Sequence, residues 1–376
     1  MLCPKPKVRT FAAAVILLHA CAIFVRGQRA EAGGPQRLFP AGMSWALDLE
    51  PGDFDAPFYA YGDGVPGATR AQPGVREFHS MYLPAKGKRF QFGFLRIRME
   101  PALGGDAGLL RDAVAAGYIR SKRANKDTFT QSEYRQTPLL RYSLKGFPPQ
   151  EGSFLSYSGS GNTAFPIPSG VPGPPPSFEA VEAFFVHDGT LISLRYATEK
   201  FGDEQDKLFY ALLDSVKFVD MTRPANGYDF FTLGSELFER KRHGEAAAAL
   251  EKALELEQKQ RTLTQQQWRH LVMNLANALA ATDKVERAKE LLEYGAAADP
   301  TYPYFHHGLS RLYSYFGDFD RVLSELEKAY QYGPNNSKGF VGMPIPDPLL
   351  DPAFQKYRDD AKFREAVKAF RKKYKG

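Results

Sequence analysis

The side chains that could do chemistry are few and poorly spaced for it. Seven histidines are present, yet no His-x3-His or His-Glu-x2-His occurs, the spacings that let one helix offer two ligands to a zinc ion. His306 and His307 are adjacent, so on a helix they diverge by about 100° and cannot chelate one ion together. His187 stands beside Asp188, but Gly189 follows, and the trio reads as a hairpin turn. Gly152-Ser153-Phe154-Leu155-Ser156 and Ser158-Gly159-Ser160-Gly161 are rich in Ser and Gly without forming the Gly-x-Ser-x-Gly nucleophile elbow. There is no phosphate-binding Walker loop and no dinucleotide fingerprint, and the acidic pair Asp359-Asp360 reads as solvated or capping charge. These residues nominate no catalytic, cofactor-binding or metal-binding site, so a non-enzymatic role is expected.

The address narrows the chemistry further. Lys5, Lys7 and Arg9 precede an apolar run from Phe11 to Val25, which is shorter than the roughly 20 residues needed to span a bilayer. Ala30-Glu31-Ala32 follows as a small-x-small cleavage site. Residues 1–32 are therefore expected to be a signal peptide, with a retained signal anchor or lipidation at Cys21 as alternatives, and the mature protein to be exported, periplasmic or secreted. Both cysteines, Cys3 and Cys21, lie in this leader; its removal would exclude disulfides, thiolate metal sites and cysteine nucleophiles. The formal charge of +6 is also mostly leader: without its five Lys/Arg and one Glu, 44 basic residues face 42 acidic ones. A near-neutral balance gives no electrostatic case for nucleic acid.

With no reactive constellation to position, the informative elements are those that could present a binding surface. Leu275, Ala276, Leu279, Ala288, Leu292 and Pro300 repeat 34 residues later as Leu309, Ser310, Tyr313, Val322, Leu326 and Pro334. Leu233, Gly234, Leu237, Ala246, Leu250 and Ala253 keep the same internal spacing upstream. A fixed period of this length means stacked helical hairpins, because one hairpin cannot bury its apolar face alone. Gly234 and Ala246 are expected to be small where two helices cross. Arg261 to Trp268 form an insertion before the second copy, expected to lengthen its first helix.

These motifs resemble the tetratricopeptide repeat over 227–334. The resemblance implies an all-α solenoid of three hairpins whose first helices line a concave, partner-binding groove. It places Tyr228, Phe231, Ser235 and Phe238 of the first hairpin, His270, Met273, Asn274 and Asn277 of the second, and Tyr304, His307, Arg311 and Tyr315 of the third on that wall. Asparagine amides can pair with a peptide backbone, Arg311 can hold a carboxylate, and aromatics give contact area at low entropy cost.

Ahead of the repeats, 33–43 reads as a flexible lead-in and 44–220 as an α+β domain with an antiparallel sheet. Strand signals fall at Gln91–Met99, Thr128–Arg135, Leu139–Leu144, Phe178–His187, Thr190–Thr198 and Val216–Val219, and helical ones at Asp106–Arg123 and Asp203–Ser215. Residues 145–177, rich in Gly, Pro and Ser, read as a long loop. The strand containing Trp45, the Val186-His187-Asp188-Gly189 hairpin and the closing Leu212-Leu213-Asp214-Ser215-Val216-Lys217-Phe218 resemble the Mog1/PsbP-like family. That likeness implies an α/β sandwich that binds partners without a catalytic centre. Thr222 to Gly227 is turn-forming and marks the border. Beyond the repeats, 335–348 is irregular, and Phe354, Tyr357, Phe363, Val367 and Phe370 give the last helix an apolar face beside a basic one, as for a helix capping the array. The expected function is an exported scaffold that binds a protein or peptide in the groove. The alternative is an envelope-associated structural or assembly protein touching the membrane through its N-terminus or basic last helix.

Overall fold

The structure is a computed structural model that describes residues 36–40, 42, 44–50, 59–61, 76–82, 93–101, 153–160, 177–198, 202–333 and 345–374. The leader, the helix expected at 106–123 and the strands expected at 128–135 and 139–144 lie outside the described residues. The protein has a mixed α+β fold, and it divides between Thr222 and Arg223 into two compact units.

The first unit contains two antiparallel sheets. Strands β1 (Gln36–Leu38), β2 (Trp45–Leu49) and β9 (Lys217–Asp220) form one, in the order β1-β2-β9. Strands β3 (Tyr59–Tyr61), β4 (Arg76–Tyr82), β5 (Gly93–Pro101), β6 (Ser153–Ser160), β7 (Ser177–His187) and β8 (Thr190–Thr198) form the other, in the order β3-β4-β5-β8-β7-β6. Asp188 and Gly189 join β7 to β8 with φ of 43° and 66°, the paired positive values that a two-residue hairpin turn requires. Helix α1 (Asp203–Ser215) follows the hairpin. Its Phe209, Leu212 and Leu213 share a core with Trp45, Leu47 and Leu49 of β2 and with Leu95, Ile97, Ile192, Leu194 and Tyr196 of the larger sheet.

Two expectations are corrected here. Residues 36–38 are not a flexible lead-in but a strand paired to β2, with Leu38 and Phe39 buried. The 145–177 segment is not all loop: Ser153–Ser160 pairs with β7 as an edge strand, in a stretch free of proline. Across the hairpin the register sets Val181 opposite Tyr196, Ala183 opposite Leu194 and Phe185 opposite Ile192, which puts these six residues on one face.

The second unit is helical: α2 (Gly227–Glu239), α3 (His243–Lys259), α4 (Gln265–Ala281), α5 (Val285–Ala298), α6 (Pro303–Phe316), α7 (Phe319–Gln331), a 3₁₀ helix (Pro352–Tyr357) and α8 (Ala361–Lys373). Successive helices from α2 to α7 pack against one another, and α2 also touches α4. Helix α4 is 17 residues long against 13 for α2 and 14 for α6, so the insertion adds a turn at its start. Thr264 begins that turn with a reciprocal capping box to Gln267. The buried carboxylate of Glu257 accepts from the backbone of Thr262 and Leu263 and fixes the corner before it.

Candidate functional site

Small residues set how closely neighbouring helices approach. A β-carbon at Gly234 would meet Leu250 Cγ at 2.6 Å and the Leu250 backbone nitrogen at 3.1 Å, so α2 and α3 cross there with no room for alanine. At Gly308 the same atom would meet Leu292 Cδ1 at 2.8 Å. Gly295 leaves space for the Phe305 ring and for Val272, each 3.0 Å from where its β-carbon would sit. Asp299, just past α5, ties the start of α4 to the corner before α6: it accepts from Arg269 Nε at 2.7 Å, Gln265 Nε2 at 3.1 Å and Thr301 Oγ1 at 3.2 Å, while the Arg269 guanidinium lies 4.6 Å over the Tyr302 ring.

Helices α2 and α4 lie side by side, and Asn274 Nδ2 donates to Ser235 Oγ across them at 3.2 Å. Of the residues expected on the binding wall, Tyr228, Ser235, His270 and Asn274 are half-buried and Tyr315 is exposed. Phe231, Phe238, Met273 and Asn277 are buried, which removes most of their area from any partner. Phe238 packs its ring 5.1 Å from that of His243, within its own hairpin. His270 lies 3.0 Å from Gln266 Nε2, and its pKa is pushed down to about 4 by desolvation, with neighbouring Arg269 adding to it. A neutral ring there offers a peptide a hydrogen bond rather than a charge.

The third hairpin is different. Tyr304 is core, its ring 5.2 Å from that of Tyr302. His307 and Arg311 are buried beneath the chain's own C-terminal segment. Arg311 Nε lies 3.3 Å and His307 Nε2 3.6 Å from Asp351 Oδ2. Ser314 Oγ donates to the Ala353 carbonyl at 2.6 Å, and Phe354 is fully buried near His307 and Phe363. Desolvation, with Arg311 adding to it, pushes the His307 pKa down to about 3. Thus the wall expected from α6 is covered by residues 351–354 of the same molecule.

His306 and His307 indeed diverge. His306 Nδ1 faces Glu325 Oε2 at 2.7 Å and its Nε2 faces the Pro300 carbonyl at 2.8 Å. His187 is structural as well, stacked 3.8 Å from the Phe218 ring.

Helix α8 spends its apolar face on α7. Phe363 and Val367 are buried, Phe370 lies 6.2 Å from Tyr330, and Lys373 and Tyr374 hold Glu327. Arg371 pairs with Asp347, and Lys362, Arg364, Lys368 and Lys372 are exposed. Among the described residues, no helix is long and apolar enough to cross a membrane.

One polar feature escaped sequence reasoning. On the second face of the larger sheet, Arg96, Arg195 and Glu182 stand opposite one another on β5, β8 and β7. Arg195 and Glu182 are almost wholly buried, and Arg96 Nη2 donates to Glu182 Oε1 at 3.2 Å. The alternation Leu95-Arg96-Ile97-Arg98-Met99 was the available signal; it marks a second, charged face on β5, and only the fold reveals that Glu182 and Arg195 are buried there.

Comparison with protein-family models finds no match to this chain, and comparison with curated proteins finds no significant relative.

Proposed function

We propose that the protein is an exported, non-enzymatic adaptor whose helical unit is a tetratricopeptide-like array over 227–334, preceded by a Mog1/PsbP-like α/β sandwich. It holds a protein or peptide partner on the face made by α2 and α4. The observation that carries this reading is the bridge between Asn274 and Ser235. It sets two first helices beside one another with polar, half-buried side chains, Tyr228, Ser235, His270 and Asn274, along their shared face. Such a face suits an extended peptide, whose backbone finds amide and hydroxyl partners while the aromatic rims it. The face is short, because α6 is covered by residues 351–354. The envelope-contact alternative is less well supported, since the apolar residues of α8 are engaged with α7 and leave only a basic edge for a membrane surface. The test is affinity capture with the full chain and with Ser235→Arg and Asn274→Arg, which block the face while reaching solvent. The reading expects the same captured protein to be lost with both variants and retained with Lys368→Glu on α8. Capture indifferent to both face variants refutes it.

A further inference from the structure

We propose that the α6 face bearing His307, Arg311 and Ser314 is itself a peptide-recognition site, specific for an aspartate followed by proline, a small residue and an aromatic, and that the chain's own Asp351-Pro352-Ala353-Phe354 is its resident, displaceable occupant. This deepens the adaptor reading and rests on it for the idea that the helical unit captures peptides. The contacts are those by which a protein reads a peptide. A guanidinium and an imidazole face the Asp351 carboxylate, a hydroxyl donates to the Ala353 carbonyl at 2.6 Å, and Phe354 is fully buried. Proline at the second position fixes φ and lowers the entropy lost on docking.

The resident seat is imperfect, which is what makes it displaceable. His307 Nε2 is buried without a hydrogen-bond partner and stops 3.6 Å from Asp351 Oδ2. Asp351 cannot close that gap freely: its backbone N–H is tied to the Asp347 carbonyl at 2.9 Å, while its Oδ1 accepts from the Ala353 backbone nitrogen at 2.9 Å. The carboxylate thus serves two masters, capping its own 3₁₀ helix and facing α6. A separate peptide is free of the chain's own tether at Asp347, whose carbonyl accepts from Leu350 and Asp351. It can set its carboxylate within hydrogen-bond distance of both His307 and Arg311 and so satisfy a group the resident segment leaves unsatisfied.

The probe is a fluorescein-labelled peptide with the sequence of residues 349–357, titrated by anisotropy into the full chain and into the Asp351→Asn/Phe354→Ala double variant, which weakens the resident seat. The double variant should bind at least about tenfold tighter than the wild type, the loss of one charge-assisted hydrogen bond and a buried ring on the resident side. Adding Arg311→Gln, or replacing the peptide's aspartate with asparagine, should weaken binding by about tenfold or more. A double variant that keeps its helical circular dichroism but binds no tighter than wild type overturns the proposal and makes the segment a fixed cap. If the double variant fails to fold, hydrogen exchange on the wild type decides. Ala353 and Phe354 amides exchanging far faster than those of α6 support displacement, and equal rates overturn it. Partner capture lost with Ser235→Arg but untouched by Arg311→Gln would leave the α2–α4 face standing while removing this site alone.

Discussion

Gly234→Ala is the sharpest probe of how the first hairpin is built. In an exposed helix this change gains about 1 kcal/mol of helix propensity. Here the new carbon meets Leu250 Cγ at 2.6 Å, Cδ2 at 2.9 Å and the Leu250 backbone nitrogen at 3.1 Å. Overpacking of that kind costs about 1–3 kcal/mol, so after the propensity gain the single variant should lose up to about 2 kcal/mol net. Leu250 is fully buried, and Leu250→Ala alone should cost about 2–5 kcal/mol. In the Leu250→Ala background the two closest of the three clashing atoms are gone and only the backbone contact remains. Gly234→Ala should then be close to neutral or slightly stabilising, giving a coupling of about 1–3 kcal/mol in the double-mutant cycle. The assay is urea unfolding of the four proteins, followed by circular dichroism at the helical minimum. Additive losses within about 0.5 kcal/mol would refute the close-crossing argument.

Three further expectations follow from the same helical unit. His270 and His307 have folded pKa values held to about 4 and about 3, below the ordinary 6.5, and His243 is lowered in the same sense. The stability they permit is complete above pH 6.5 and is lost as pH falls, because the unfolded chain then takes up protons that the fold refuses; at pH 5 the loss reaches roughly 2 kcal/mol for each of the first two. Thermal melts at pH 7.5 and 5 should record it, and His307→Gln should flatten the slope; a melting point that rises on acidification contradicts it. Asp299→Ala should cost about 3 kcal/mol in chemical denaturation, since Arg269, mostly buried, loses its carboxylate, and a loss below 0.5 kcal/mol (about the error of additivity) would mean that this tie is idle. Thr264→Ala should cost about 1 kcal/mol and speed amide exchange in the first turn of α4 alone; unchanged exchange at Gln267 would show that the capping box does not hold that turn.

The sequence carried the helices well and their surroundings poorly. Gly234 and Ala246 marked the crossing of α2 and α3 because only small residues fit where two backbones approach. Asp188-Gly189 marked its turn because it needs positive φ twice. Those signals are local. The misses were long-range. Gln36–Leu38 reads as polar linker until β2 is there to pair with it, and Ser153–Ser160 hides among glycines until β7 supplies its register. The binding wall was legible as positions but not as exposure. Period alone cannot reveal that Asp351, 40 residues after Arg311, returns to cover it, nor that Phe231 and Met273 turn inward. Arg195 is the same lesson on a strand: alternation gives the face, and only the folded structure reveals that a charge there is buried.

The adaptor account is tested most directly by hydrogen–deuterium exchange on the full chain, alone and with the captured partner bound. The account requires new protection at 228–238 and 270–277, the lengths of α2 and α4 that share the Ser235–Asn274 bridge. Protection confined to β7 and β8 of the first unit, with α2 and α4 unchanged, would contradict it.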